Sequence, residues 1–338
     1  MFDTVYIDGD LVLYSIACIC EDTYIEVKDS NDKVTSHKNI TEFKKELKKN
    51  LLPYIKEEYS IEYKKQLKPG DVKMKGIFSI KGKISKIQRM CKAKKVVIAL
   101  GGSSNFRDRI PLPVKYKDRD ASKKPLMLSP LREWLASNYT VEYAADEEAD
   151  DIISKKQYEG SSSKDIIVCS SDKDSRATPG FLYNPNTEEI LDISGLGSHS
   201  LVSKGSKKEL YGTGRVWEYI QWISGDKVDN YHPQDLLNKN LISDKRSNLI
   251  VSSTRKSHSI IYNDTKDFTT DKEWLQYSHD LFYEWYKDLT WYYTWDDILI
   301  ENTTYLDIFQ IYVDVVHMRR WDNDRVIIKD VLKKFKII

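Results

Sequence analysis

The chain lacks the equipment for several common chemistries. Its 338 residues include four cysteines, Cys18, Cys20, Cys91 and Cys169. They form no C-x-x-C pair and no histidine stands at zinc-ligand spacing, so buried free thiols are expected rather than a zinc site or a disulfide framework. That usage implies a reducing, cytoplasmic setting. No G-x-x-x-x-G-K-[ST] loop occurs, which removes the usual cradle for ATP phosphates. No histidine (His37, His199, His232, His258, His279, His317) stands in a hydrolase-like setting. No apolar run reaches the length of a bilayer span and the first residues carry no signal-peptide pattern, so no membrane partner is expected. Net charge is also absent: 53 Lys+Arg against 52 Asp+Glu leave +1, a balance that by itself points to no partner.

What the chain does have is carboxylates at telling places: Asp8 in Y-I-D-G-D, Glu148, Asp150 and Asp151 in E-A-D-D, Asp172 and Asp174 in S-D-K-D, and Asp226 and Asp229 in G-D-K-V-D-N. Acids are favoured in the first turn of a helix by the exposed N–H groups and the macrodipole, which accounts for one or two of the E-A-D-D set. It does not account for a second D-x-D pair after the next strand. Crowded carboxylates repel one another and raise each other's pKa values, so a divalent cation is their natural counter-charge. Hard, oxygen-loving ions such as Mg²⁺ or Mn²⁺ suit such donors, and two of them form the clamp used for in-line attack on a phosphodiester. The bases are uneven too: from Lys28 to Lys95 there are 20 Lys/Arg against 8 Asp/Glu, a basic flank suited to a polyanion.

Hydrophobic patterning predicts strands over Thr4–Asp8, Lys95–Leu100, Thr140–Ala144 and Asp165–Cys169, with helices over Leu11–Cys20, Ile40–Tyr59, Pro130–Ser137, Glu147–Tyr158 and Val216–Ile223. A hairpin is expected over Thr23–His37, an inserted lysine-rich excursion over about 60–90, and a loop over Gly195–Gly214. Strands alternating with helices imply an α/β fold around a mostly parallel, twisted sheet, in which polar chemistry gathers beyond the carboxyl ends of the strands. The acids fall there. Ten aromatics between Trp274 and Trp295 read first as the core of a mainly helical C-terminal part and second as stacking surfaces for unpaired bases.

Taken together, V-Y-I-D-G-D (5–10), N-F-R (105–107), Y-K-D-R (116–119), K-K-P (123–125), E-A-D-D (148–151), S-S-D-K-D (170–174) and G-D-K-V-D-N (225–230) resemble the structure-specific 5′-nucleases, the flap endonuclease superfamily, and most closely the phage-encoded 5′→3′ exonucleases. The resemblance spans about residues 4–231 and implies a PIN-like three-layer domain. It implies a 1–225 catalytic region and a 226–338 helical DNA-binding region with a degenerate helix-hairpin-helix. By that likeness Asp8, Glu148 and Asp150 are ligands of one Mg²⁺ or Mn²⁺ ion and Asp172, Asp174 and Asp229 of a second, with Asp151 and Asp226 as further acids. Lys117 and Arg119 are the catalytic cations at the scissile phosphate, and Arg107, Tyr116, Lys123 and Lys124 contact DNA. The implied substrate is DNA with a 5′ end, nick or flap, met in the bacterial host cytoplasm alongside replication or recombination proteins.

Two departures stand out. An acid usual before N-F-R is replaced by Gly101-Gly102, and Y-H-P-Q-D-L-L-N-K after Asn230 lacks the glycine pattern of the usual hairpin. They leave two other readings open on the sequence alone, a catalytically weak DNA-end-binding protein and a PIN-like ribonuclease.

Overall fold

In the computed structural model, residues 1–50, 52–205, 207–238 and 257–338 are described. In chain order the elements are β1 (Phe2–Asp8), α1 (Gly9–Ile19), β2 (Glu21–Asp29), β3 (Val34–His37), α2 (Ile40–Lys49), β4 (Tyr59–Leu67), α3 (Val72–Cys91), β5 (Ala93–Leu100), α4 (Leu128–Asn138), β6 (Val141–Tyr143), α5 (Ala149–Ser163), β7 (Ile166–Cys169), β8 (Gly180–Asn184), β9 (Glu189–Ile193), β10 (His199–Lys204), β11 (Lys207–Gly212) and α6 (Gly214–Ser224). The helices Asp235–Asn238, His258–Thr265, Asp271–Tyr286, Tyr305–Val316 and Ile328–Lys334 follow. The expected α/β class, with a central, mostly parallel sheet and a helical C-terminal part, is what the structure contains. Two compact units are present: Met1–Asp10 with Ile87–Arg119 and Thr140–Ile338, and Leu11–Lys86 with Asp120–Tyr139.

The first unit holds a six-stranded sheet in the order β6-β5-β1-β7-β8-β9, parallel except for β9. Strands covered on both faces need apolar residues at every position rather than alternate ones. All four residues of β7 are buried accordingly, as are Val5 and Ile7 of β1. Helix α5 buries Ala149, Ile152 and Ile153 in one cluster with Ala99, Val168 and Leu182. From β1 the strand order steps away in both directions, and a sheet of that kind opens a crevice beyond the carboxyl ends of the strands where the order reverses. Register brings those ends level: Asp8 pairs with Ala99, Ile7 with Cys169, and Leu100 with Tyr143.

The C-terminal helices of this unit form a second, aromatic core. Asp271–Tyr286 and Tyr305–Val316 each begin with a capping box, Thr270/Glu273 and Thr304/Asp307, which satisfies orphan N–H groups at both starts. Phe282 stacks on Phe309 at 4.2 Å and Trp222 of α6 meets Phe309 edge-on at 5.6 Å. Trp274, Phe282, Tyr286 and Tyr292 are buried, while Tyr283, Tyr293 and Trp295 stay exposed. The aromatic run is therefore mainly core. That core also takes in Leu112, Tyr116 and most of α6, so the packing does not divide at residue 225 as the sequence suggested. The degenerate helix-hairpin-helix runs into residues 239–256, which lie outside the described residues. Among the described residues no helix is long and apolar enough to cross a membrane.

A buried ionic knot fastens this region. His317 faces Glu218 at 2.8 Å through Nδ1 and Asp324 at 3.0 Å through Nε2, and Arg320 Nε donates to Asp324 at 2.8 Å. With carboxylates at both nitrogens the ring must donate twice, which only the imidazolium does. Burial alone would lower the His317 pKa, but Glu218 and Asp324 overcome it and hold it at about 9. Asp324 is held below the usual carboxylate range, burial notwithstanding, by His317 and Arg320. A raised histidine stabilises the fold fully below its unfolded value of about 6.5 and loses that contribution as pH climbs through about 9. A depressed aspartate contributes above its ordinary value and loses that contribution as pH falls below it. His317→Gln should therefore destabilise most near pH 5 to 6, with a gap from the parent that shrinks as pH rises from about 6.5 to about 9. Urea melts of both proteins across that range test it, and a pH-independent gap would refute it.

In the second unit, β2 pairs antiparallel with β3 and β4, and Ile25 and Val27 pack on Phe43 and Leu47 of α2. The hairpin turn at Ser30–Asp32 forms as expected, with Asp32 at φ 62° and the Asp29 carboxylate accepting from Asn31 and Lys33 N–H groups. Two sequence expectations, the helix from Ile40 and the loop at Gly195–Gly214, need correction. The helix from Ile40 stops at Lys49 instead of Tyr59; Pro53 cannot donate within a helix, and Tyr59 opens β4. The excursion at 60–90, whose order the sequence left open, is β4 and the 20-residue α3. Gly195–Gly214 is mostly the hairpin β10–β11 rather than a loop. The β8–β9 hairpin had no counterpart in the sequence reading.

Candidate metal centre

Acids reach the crevice from the ends of β1 and β7 and from the start of α5. Asp8 is the last residue of β1, Glu148 and Asp150 stand at the start of α5 after β6, and Asp172 and Asp174 follow β7. Asp226 and Asp229 come from the turn after α6, closed by reciprocal backbone hydrogen bonds between Asp226 and Tyr231 at 2.9 and 3.0 Å. One carboxylate oxygen from each of Asp174, Asp226 and Asp229 lies within 4.8 Å of the others. Ser170 joins the set from the end of the sheet, donating to Asp8 at 3.4 Å, while its oxygen accepts the Asp172 N–H at 3.0 Å.

The electrostatics show how crowded these groups are. Burial and then the charges of Asp8 and Asp172 push the Asp150 carboxyl well above the usual range, with only Lys117 pulling it back. Burial, then Asp172, Asp229 and Asp226, push Asp174 up to about 7 against the pull of Lys173. Asp229 is raised by burial and by Asp226, Glu148 and Asp172, with Lys117 opposing. Burying like charges together is costly unless a cation joins them. Two ammonium groups supply part of that charge. Lys117 Nζ lies 2.7 Å from Glu148 and 3.6 Å from Asp229, and Lys173 Nζ lies 2.7 Å from Asp226. Hard oxygen donors, mutually repelling and partly neutralised, match Mg²⁺ or Mn²⁺ chemistry rather than that of a thiophilic metal.

The sequence-predicted residues divide on placement. Asp8, Glu148, Asp150, Asp172, Asp174, Asp226 and Asp229 interact within one cluster. Lys117 stands in it at φ 44°, its N–H donating to the Asp229 carbonyl at 3.0 Å. Burial opposes its charge, but Glu148, Asp229 and Asp150 raise its pKa further, so it stays an ammonium. Arg119 is exposed and reaches Asp229 at 3.2 Å. Asp151 turns away: its oxygens accept from Arg107 at 2.6 and 3.0 Å, from the Glu148 N–H at 3.1 Å and from the Arg319 N–H at 3.2 Å. A carboxylate so occupied is scaffold rather than an open metal ligand.

Arg107 is 1 % exposed and also donates to the carbonyls of Val315 and His317, so it cannot touch DNA. Tyr116 is likewise buried, its hydroxyl donating to Glu148 at 3.0 Å, which leaves no face for a base. Both expected DNA contacts are structural. Lys123 and Lys124 are exposed in the second unit, Lys123 beside Asp120 at 4.0 Å. Sequence reading missed Lys173 and Gln221, which donates to Asp174. The lysine standing between two acids in S-D-K-D was the available signal; Gln221 had none.

Gly102 also has a physical reason. A Cβ there would stand 2.1 Å from the Ala144 carbonyl oxygen, so no acid fits at this position. Next to it, the Gly101 N–H donates to Asp10 at 2.8 Å. Gly102→Asp should not add a ligand; it should destabilise the fold by about 1 to 3 kcal/mol through overpacking. A denaturation midpoint equal to the parent's would contradict this.

No protein-family model and no curated protein matches this chain. Among solved structures, the bacteriophage T5 D15 protein co-crystallised with metal ions is 13% identical, with 98% of this chain and 96% of that chain covered at a TM-score of 0.43. The bacteriophage T5 D15 flap endonuclease, in a pseudo-enzyme-product complex with DNA and metal ions, is 14% identical over 76% of this chain and 87% of its own, TM-score 0.40. A mutant T5 5′-exonuclease is 12% identical over 99% and 96%, TM-score 0.41. Likeness at this level fixes none of the present chain's chemistry, which rests on its own residues.

Proposed function

We propose that the chain is a structure-specific 5′-nuclease with a PIN-like core, a divalent-metal-dependent phosphodiester hydrolase that acts on DNA at 5′ ends with 5′→3′ polarity. The observation that carries this reading is the meeting of seven carboxylates from four separate segments at the carboxyl edge of one sheet, with Asp150 and Asp174 half-buried among like charges. Asp8, Glu148 and Asp150 are suited to hold one Mg²⁺ or Mn²⁺ ion, and Asp172, Asp174, Asp226 and Asp229 a second. When bound, such a pair of ions supplies an activated water and charge neutralisation at the phosphodiester.

The chain's own cations do the rest. Lys117, kept protonated by its carboxylate neighbours, presents a fixed positive charge to a phosphate entering the cluster. Arg119, exposed and held at Asp229, offers further N–H donors at the same edge. Tyr116 orients Glu148, and the Arg107–Asp151 pair anchors the start of α5, so the carboxylates are positioned before substrate arrives. Lys123 and Lys124 remain candidate contacts to the DNA backbone. The reading places the protein in the cytoplasm, where DNA ends are handled by replication or recombination proteins.

A duplex labelled at its 5′ end, incubated with Mg²⁺ or Mn²⁺, should release short labelled products, and the matching RNA should not. Cleavage of RNA alone would move the assignment to a ribonuclease. No cleavage of either with any divalent ion would leave only a binding role.

A further inference from the structure

Next to the carboxylate cluster, a cavity of about 660 Å³ opens between the turn after α6, the β10–β11 hairpin and the start of the helix His258–Thr265. Its ionisable lining is mostly cationic, Lys173, Arg176, Lys208 and Lys227 against Glu209 and Asp226, and Asp226 is already paired with Lys173 at 2.7 Å. Arg176 is the most informative of these. Its guanidinium is clamped over Tyr211 at 4.4 Å and Trp217 at 4.6 Å, and Nε donates to the Lys173 carbonyl at 3.1 Å. Among the described residues no carboxylate pairs with it. A stacked, half-buried guanidinium with a fixed fork and no anion is built to receive one.

Neutral donors surround it. The Leu210 N–H donates to His258 Nδ1 at 3.2 Å, which leaves the ring's proton on Nε2 as a donor. Ser257 caps the helix His258–Thr265, whose first N–H groups also favour an anion.

We propose that this cavity is a phosphate subsite: Arg176, Lys208 and His258 hold a phosphate of the strand being cut, beside the carboxylate cluster rather than within it. This rests on the nuclease reading for the identity of the ligand, not for its chemistry. A terminal phosphomonoester and an internal phosphodiester present the same oxygens, and the experiment separates them.

The full chain in EDTA, where no divalent ion is available, is titrated with fluorescent single strands carrying a 5′-phosphate or a 5′-hydroxyl, with inorganic phosphate as competitor. Arg176→Gln and Lys208→Gln should each weaken binding about tenfold and reduce the slope of log K against log salt by roughly one. If the loss is confined to the 5′-phosphorylated strand the ligand is the terminal monoester; if both strands lose equally it is an internal diester. Arg176 is packed and its variant must be shown to melt like the parent. Lys208 and Lys227 are exposed, so their glutamine variants decide the matter if Arg176→Gln does not fold. Unchanged affinity and salt slope in the folded variants would overturn the subsite. Retained, Arg176-dependent phosphate binding in a protein that cuts nothing would overturn the nuclease reading and leave the subsite standing.

Discussion

Asp150→Ala and Asp174→Ala are each expected to lower DNA cleavage on the order of 10³-fold or more, because a carboxylate that holds a catalytic ion controls several kcal/mol of transition-state stabilisation. Binding of the same DNA in Ca²⁺ should persist, since neither residue contributes positive charge. A second readout separates ion binding from simple damage to the fold. Asp150 is half-buried beside Asp8, Asp172 and Glu148, whose charges raise its pKa, so Asp150→Asn removes a repulsion and should raise the melting temperature of the metal-free protein. The same variant should lose most of the added stability that Mn²⁺ confers on the parent through its preference for the folded state. A variant that melts lower without metal, or that keeps its cleavage rate within tenfold, would contradict the placement of Asp150 in an ion site.

Removing the Arg107 side chain should have the largest effect on stability. Arg107→Ala is expected to cost about 3 to 5 kcal/mol, since it strands a buried carboxylate. Arg107 bridges Asp151 at 2.6 and 3.0 Å and the Val315 and His317 carbonyls at 3.0 and 2.9 Å, so one guanidinium ties the start of α5 to the C-terminal end of the helix Tyr305–Val316. Arg107→Lys should rescue little, because an ammonium cannot reproduce the planar fork. Asp151→Asn in the Arg107→Ala background should recover part of the loss, and a double-mutant cycle by urea unfolding measures the coupling. If Arg107→Ala melts like the parent yet loses DNA affinity, the residue is a substrate contact after all.

The strands that build the site were legible because parallel strands covered on both faces must be apolar throughout. V-Y-I and I-I-V-C stand out in a lysine-rich chain, and an acid just beyond such a run falls at the carboxyl edge of the sheet. The structure of the lysine-rich segment at 60–90 was not legible, for the opposite reason. Its polar residues mark the exposed faces of β4 and α3, and a few buried side chains such as Ile77, Ile80, Ile84 and Ile87 suffice to fix the helix. Gly195–Gly214 misled through its Gly, Ser and Lys content, which a two-stranded hairpin open to solvent accommodates as readily as a loop does.

The sequence by itself determined which carboxylates end strands or begin helices, since local pattern places a residue along an element. It did not determine where each side chain points. Asp150 and Asp151 are neighbours in the chain, yet successive residues on a helix diverge by about 100°, so one enters the cluster while the other meets Arg107. Arg107 and Tyr116 looked like DNA contacts and became supports for the same reason. A charge on a helix start or loop is equally able to face solvent, a ligand or a buried partner, and only the packing of segments distant in sequence settles which partner is within reach.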